Sequence, residues 1–159
     1  MKLIPVALRA DHLRHLYRAL QERPAAACIS HSEMPSRAKH RKHVVDHLPS
    51  EATPRGANGL IPYIISAPPR PDAHKGWYLI ADDETIIGVI YLSARDEIGI
   101  DIFKPYRSKR LARIAIGMLK LRHPRPKYFA NVAPGNAASH RLFGRLGKVI
   151  QHTYALEAE

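Results

Sequence analysis

Apolar residues after position 76 are grouped in three short runs, which predict three consecutive β-strands. The first two runs, WYLIAD (77–82) and TIIGVIYLS (85–93), are joined by the acidic turn Asp82-Asp83-Glu84. The second run is almost continuously apolar, which is typical of a central strand covered on both faces. A third run, EIGIDIF (97–103), follows closely.

The third run alternates in character along its length. Because successive side chains of a strand point to opposite faces, Ile98, Ile100 and Ile102 share one face. The other face is formed by Glu97, Gly99, Asp101 and Phe103. Acids around a glycine predict space for a ligand on this second face.

Helical spacing of apolar residues predicts two helices before these strands. The first spans residues 11–22, with Asp11 as its N-cap, and the second spans residues 36–48. The apolar face of the first consists of Leu13, Leu16, Tyr17 and Leu20.

Two further helices are predicted after the strands. One has its first turn at 107–111, and the other begins at the N-cap Asn136 and ends at Gly147. The core-facing stripe of the former consists of Leu111, Ile114, Ala115, Met118 and Leu119. One face of the latter consists of Ser139, Leu142, Phe143 and Leu146.

Three more strands complete the predicted order, at residues 3–8, 127–132 and 148–156. The order is strand, two helices, three strands, helix, strand, helix, strand. Such an order predicts an α+β fold in which helices cover a mixed sheet. A proline-rich loop or insertion at about 49–75 interrupts it, because prolines there forbid a long helix.

Length and composition indicate one soluble domain over residues 1–159. No apolar run approaches the roughly 18 residues that a membrane span needs, so we expect no membrane partner. The N-terminus lacks the cleavage pattern of a secretory signal, and we expect a cytoplasmic protein. Cys28 is the only cysteine, which excludes a disulfide framework and a multi-cysteine metal site, and a buried structural thiol is expected.

Net charge is the strongest bulk signal. The formal charge of +11 indicates an anionic substrate or partner. The segment FKPYRSKRLARIAIGMLK (103–120) passes from a strand through basic residues into a helix, where free N–H groups and the helix dipole favour an anion. A pyrophosphate bound there and a merely solvated basic helix end are both compatible with this segment alone.

Two segments resemble the motifs of the GNAT superfamily of acyl-CoA N-acyltransferases. EIGIDIFKPYRSKRLARIAI is similar to the first motif, which ends in R/Q-x-x-G-x-G/A, and NVAPGNAASHRLFGRLGKVIQHTY is similar to the segment that follows it. Arg107 and Ala112 fit the ends of the first motif, while Arg110 stands where the middle glycine is usual. The resemblance covers residues 77–156, and the strand starting at Glu97 resembles the branch that acetylates protein N-termini and nucleotide-sugar amines.

The resemblance implies a mostly antiparallel mixed sheet that is splayed between two strands, with helices on both faces. Acetyl-CoA would be the co-substrate: its pantetheine arm would lie between 97–103 and 127–132, and amides near Ile102 would polarise the thioester carbonyl. The residues implied to bind it are Ile102, Phe103, Arg107, Ser108, Lys109, Arg110, Leu111, Ala112, Arg113, Asn131, Asn136, Ser139 and Phe143.

An acceptor amine must lose a proton before it attacks, which requires a base. Glu97 on the ligand face is our first candidate, and His31 is the second; Asp101 lies about 13 Å farther along the strand, near the expected phosphates. Phe143 occupies the position where the family often has a tyrosine that protonates the thiolate. Water, Ser139 or another tyrosine would then serve, or the thiolate would leave unaided.

Acetyl transfer to a primary amine is the function that the resemblance implies. The acceptor would be a small molecule, a nucleotide sugar or a peptide N-terminus, and the sequence leaves a homodimer open. The alternatives are a basic nucleic-acid-binding domain and an inactive acyl-CoA-binding homologue. We do not expect nucleic acid as a partner, because no helix-turn-helix, zinc site or interleaved aromatic pattern is present. No metal is expected either: His40, His43 and His47 recur at helical spacing but are expected to face solvent or the acceptor.

Overall fold

The computed structural model describes residues 1–7, 9–24, 35–47 and 76–151. In this part of the chain four strands form one antiparallel sheet in the order β1-β2-β3-β4. The strands are β1 (Lys2–Pro5), β2 (Gly76–Asp82), β3 (Thr85–Leu92) and β4 (Ile98–Ile102). The three strands predicted after position 76 are confirmed, each within a residue of its expected ends.

Two helices lie between β1 and β2 in the chain, and two follow β4. Together with the sheet they make the described chain an α+β fold. They are α1 (Ala10–Gln21), α2 (Arg37–His47), α3 (Leu111–Arg122) and α4 (Ala137–Gly144). None of the helices in the described ranges is long and apolar enough to cross a membrane.

The start of α1 differs from the prediction. Arg9 is its N-cap, with extended backbone and no capping side chain, and Asp11 lies inside the first turn. Asp11 therefore acts on the helix dipole rather than as a cap, because a carboxylate is favourable near a helix N-terminus.

The start of α3 was also predicted too early. Residues 104–106 form a short 3-10 turn, and Ser108 and Arg110 have φ values of 66° and 59°. A left-handed residue cannot belong to a right-handed helix, so α3 begins at Leu111, four residues later than expected.

One face of the sheet packs against α3. Ile80, Ile90, Leu92 and Ile98 are buried there together with Leu119 of α3. The predicted stripe of α3 was rotated by part of a turn: Ile114 is 52% exposed, whereas Ile116 is 2% exposed and joins the core. Ile100, Ile102 and residues of α4 pack around the edge of this cluster.

The opposite face packs against α1 and α2. Leu16, Ala19 and Val44 of these helices are buried against Leu79, Val89 and Phe103 of the sheet side. Phe103, the residue that follows β4, is fully buried. The alternation predicted for β4 is therefore confirmed: its isoleucines face α3, and Phe103 faces α1.

Three other predictions need correction or lie outside the described residues. Instead of a strand, 127–132 contributes one isolated bridge, at Phe129. Residues 148–151 are not in a strand, and 152–156 lie outside the described ranges. The proline-rich segment 49–75, Cys28 and His31 are outside them as well.

Candidate functional site

The outer edge of β4, which faces away from β3, differs between its two ends. At its beginning, Glu97 forms a parallel bridge with Phe129. The Ile98 amide donates to the Phe129 carbonyl at 2.7 Å, and the Phe129 amide donates to the Asp96 carbonyl at 3.0 Å. This end of β4 is therefore hydrogen-bonded on both edges.

Farther along, the same edge has no strand beside it among the described residues. The Phe103 amide donates to Ile87, and the Ser93 amide donates to Glu97, so the odd-numbered residues of β4 are bonded to β3. In an antiparallel pair, alternate residues point their N–H and C=O groups the other way. The backbone groups of Ile100 and Ile102 therefore face the open edge.

Beyond this edge the chain turns through its most basic segment. The amide N–H groups of residues 108–112 have no hydrogen-bond acceptor in the described part of the chain. They lie where the first turn of α3 adds the positive end of its dipole. Ser108, Lys109, Arg110 and Arg113 are exposed around them, and Leu111 and Ala112 are half-buried.

Arg107 does not extend into solvent from this turn. Its Nε donates to the Ile102 carbonyl at 2.8 Å, and an Nη donates to the Glu22 carbonyl at 3.1 Å. The residue predicted to hold phosphate thus ties the open end of β4 to the end of α1. Sequence patterns gave no sign of this contact, because Glu22 is far away along the chain.

Glu22 is the centre of a second set of contacts, which we call the α1 clamp and define as Arg18, Glu22 and Arg23. The Glu22 carboxylate accepts from the Lys104 amide at 2.5 Å and from Arg18 Nε at 2.7 Å. The Arg18 guanidinium lies 4.2 Å from the centre of the Phe103 ring. The clamp therefore holds the end of α1 against the junction of β4 and α3.

The clamp also reaches the acidic face of β4. Arg23 forms an ion pair with Asp101, and both side chains are largely buried. Burial raises the pKa of Asp101 above its ordinary value, although the charge and hydrogen bond of Arg23 oppose the rise. Burial alone would raise the pKa of Glu22 as well, but hydrogen bonds from Lys104 and Arg18 and the nearby arginine charges lower it below its ordinary value.

Space for a ligand was predicted above Gly99, and this prediction is wrong. A Cβ on Gly99 would lie only 2.1 Å from Cζ of Tyr91, its partner on β3. The Tyr91 ring therefore covers Gly99, and Trp77 stacks on Tyr91 with ring centres 5.1 Å apart. The glycine makes room for a neighbouring aromatic ring, a pairing that stabilises glycines in sheets.

Tyr91 was missed by the sequence analysis, although it lies between the two acids of β4. Burial raises the pKa of the Tyr91 hydroxyl above its ordinary value. The charge of Arg23 lowers this pKa, whereas the charges of Asp101 and Glu97 raise it further. These electrostatic contacts place Glu97, Asp101 and Tyr91 in one polar group on the α1 side of the sheet. Cross-strand pairing with Gly99 is the signal that could have found Tyr91, since β3 and β4 were both predicted.

Glu97 lies at the closed end of the strand edge. Its amide donates to Ser93 Oγ at 3.1 Å, and its side chain is half-buried. Unlike Asp101, it has no ion-pair partner among the described residues. Of the two acids on this face, Glu97 is therefore the one whose carboxylate forms no ion pair with an arginine of the described ranges.

Helix α4 supplies the remaining predicted residues. Asn136 is confirmed as its N-cap: the side chain accepts from the Ser139 amide at 3.1 Å. Phe143 packs against the α3 side of the core, and Asn131 is exposed in the segment after Phe129. Phe143 offers no proton donor, and the Tyr128 hydroxyl is bonded to the His123 carbonyl at 2.7 Å.

The histidines of α2 differ from one another. His40 is buried, against the expectation of a solvent-facing side chain, and packs edge-on against Tyr17 with ring centres 5.4 Å apart. His43 is exposed. Within the described ranges, no group of three or more histidine, cysteine or acidic side chains could hold a metal ion.

Comparison with family models, with curated proteins and with solved structures finds no match for this chain.

Proposed function

We propose that the protein transfers an acetyl group from acetyl-CoA to a primary amine. One observation carries the proposal: among the described residues, β4 is closed at Glu97, open at Ile100 and Ile102, and continues into a turn with five amides that have no acceptor there. An extended chain that carries amide groups can pair with such an edge. A pyrophosphate at the end of that chain would meet the N-terminus of α3.

The backbone of Ile102 is suited to stabilising the reaction intermediate. When the amine attacks the thioester carbonyl carbon, the carbonyl oxygen becomes negative, and a fixed N–H donor stabilises it. Ile102 presents its N–H on the open edge, while its carbonyl is already bonded to Arg107. The C–S bond then breaks, and the sulfur leaves as a thiolate with a pKa of about 8.5 as the free acid.

Glu97 is the group proposed to take the proton of the amine. It lies on the same strand as Ile102, near the point where the open edge begins, and its carboxylate is not tied up in an ion pair among the described residues. A carboxylate can accept the proton directly or through one water molecule. One proton passes from the ammonium to Glu97, the nitrogen lone pair forms the C–N bond, and CoA carries away the electron pair of the C–S bond as a thiolate. The second N–H proton, lost as the amide forms, passes to that thiolate.

Acetyl-CoA binding is the first test. A ligand that binds only the folded state raises the melting temperature, so we expect an upward shift at millimolar acetyl-CoA and a smaller one with adenosine alone. Absence of any shift would refute the proposal. A mass-spectrometric screen of amine acceptors with acetyl-CoA follows; a shift without any acetylated product would favour the inactive acyl-CoA binder.

A further inference from the structure

Helix α2 has an unusual distribution of charge. Among the side chains of α2 that the structure describes, His40 and Val44 are buried, and the others are exposed. Lys39, Arg41 and Lys42 are exposed, and we call these three the α2 surface. A helix that is polar over most of its circumference gains little from packing.

Apart from Lys42 and Asp46, which are opposite charges four residues apart, the charges of α2 do not stabilise the helix itself. Its first turn contains no acid, although acids stabilise that end, and Arg37 lies there instead. Arg37 and Arg41 are four residues apart, a spacing at which like charges repel. Asp46 is the single acid of the helix. Charges that weaken an isolated helix indicate an anionic partner.

The chemistry of the exposed side narrows the class of partner. Membrane-surface helices need a broad apolar face, and protein interfaces need apolar or aromatic anchors at their centre. Neither is offered by the exposed side chains of α2 that the structure describes, which are charged or polar apart from Ala38. Phosphates of a nucleic acid backbone require only such cations.

We propose that the α2 surface binds the phosphate backbone of nucleic acid without reading its sequence. This proposal is independent of acetyl transfer, because α2 lies apart from the open edge of β4 in the chain and shares none of its residues. The motifs whose absence argued against nucleic acid belong largely to proteins that recognise bases or stack on them. Backbone binding needs none of them, and a net charge of +11 supports it.

The test compares two triple variants that each remove three positive charges. Lys39→Gln, Arg41→Gln and Lys42→Gln neutralise the α2 surface, and Lys2→Gln, Arg145→Gln and Lys148→Gln neutralise exposed residues of β1 and the region after α4. Fluorescence anisotropy with labelled 24-nucleotide duplex DNA, duplex RNA and single-stranded RNA gives Kd over a series of salt concentrations. Anionic phospholipid vesicles form a fourth arm.

We expect the α2 variant to lose roughly tenfold or more in affinity. The slope of log K against the logarithm of salt concentration should become shallower by about 2 to 3, at about 0.9 per lost phosphate contact on a duplex. The control should lose less than half of that, and acetyl-CoA should still raise the melting temperature of both variants equally. Equal weakening by both triples would overturn the proposal, as would wild-type protein that binds vesicles but no nucleic acid. An α2 variant that melts no lower than wild type shows that the loss does not come from unfolding.

Discussion

At Glu97, β4 has hydrogen-bonded neighbours on both edges. At Ile102, β3 is its one strand partner in the described part of the chain, and an arginine side chain meets the other edge. The closed end is held by backbone hydrogen bonds, with Ser93 on the edge toward β3 and with Phe129 on the outer edge. The open end is held by side-chain contacts instead: Arg107 donates to the Ile102 and Glu22 carbonyls, and the Glu22 carboxylate, at the end of α1, accepts from the Lys104 amide. Side-chain contacts can be exchanged for a ligand, while a backbone bridge cannot be exchanged without loss of structure.

The two ends also differ in charge. Around the closed end, Arg125 forms one ion pair with Asp96 at 3.0 Å. Around the open end, Arg23 pairs with Asp101, and Arg18 and Arg107 lie against Glu22. The basic side chains that follow, Lys109, Arg110 and Arg113, are exposed. An anionic ligand would therefore find its countercharge at the open end, and the reacting group would lie toward the closed end, near Glu97.

The largest effect is expected at the closed end, from Glu97→Gln. The variant keeps the size of the side chain and removes the proton acceptor, so kcat should fall about 10²- to 10⁴-fold, the usual contribution of a general base. Acetyl-CoA affinity should stay unchanged, because Glu97 is remote from the basic turn. The assay uses the amine acceptor found in the screen.

Two controls separate this role from a structural one. Glu84→Gln, in the exposed β2–β3 turn, makes the same chemical change and should leave kcat unaltered. The deficit of Glu97→Gln should also shrink as pH rises, because more of the amine is then already neutral. Near wild-type kcat at pH 7 would remove Glu97 from the mechanism, and His31 would be tested next.

At the open end, Glu22→Gln should have the next largest effect, this time on stability. The carboxylate accepts a backbone and an arginine hydrogen bond and is mostly buried. Hydrogen bonds to charged groups contribute about 1.5–3 kcal/mol, so we expect a loss of about 1–3 kcal/mol in the free energy of unfolding in urea. Glu84→Gln should change it by less than about 0.5 kcal/mol. Equal stability of both variants would mean that the α1 clamp does not stabilise the open end.

The two acids of the open end should respond to pH in opposite directions. Because the pKa of Glu22 is lowered by its partners, its contribution to stability is present above the ordinary value and is lost as pH falls through the folded-state pKa. Because burial raises the pKa of Asp101, its contribution is present below the ordinary value and is lost as pH rises through the folded-state pKa.

Urea unfolding of wild type, Glu22→Gln and Asp101→Asn from pH 3 to pH 7 measures this difference. The advantage of wild type over Glu22→Gln should grow toward neutral pH. Over the same range, its advantage over Asp101→Asn should shrink. The same trend for both variants would contradict the assignment of one pKa or the other.

Local patterns predicted the three consecutive strands after position 76, but only part of the remaining sheet and of the site. The alternation of β4 and the cap at Asn136 depend on neighbours in sequence, and both are confirmed. The ring of Tyr91 over Gly99, the ion pair of Arg23 with Asp101 and the contact of Glu22 with Lys104 depend on elements that are distant in the chain. The start of α3 was predicted too early because arginine and serine rarely adopt positive φ, so nothing in their identity signalled the left-handed turn.

The smallest effect concerns that turn and is expected from Arg110→Gly. Arg110 has φ 59° and ψ 7°, a conformation that costs a side chain about 1–2 kcal/mol and costs glycine nothing. Glycine also gives the unfolded chain more freedom, which costs about 0.4–1 kcal/mol, so the net gain in stability should be about 0–1.6 kcal/mol. Arg113→Gly is the matched control: it removes the same charge inside α3, where glycine costs about 1 kcal/mol, and should be destabilising.

If the Arg110 charge contacts phosphate, Arg110→Gly should nevertheless weaken CoA binding in a titration, and more strongly for CoA than for a dephospho form that lacks the contacted phosphate. Unchanged affinity would mean that the backbone amides of residues 108–112 alone hold the anion.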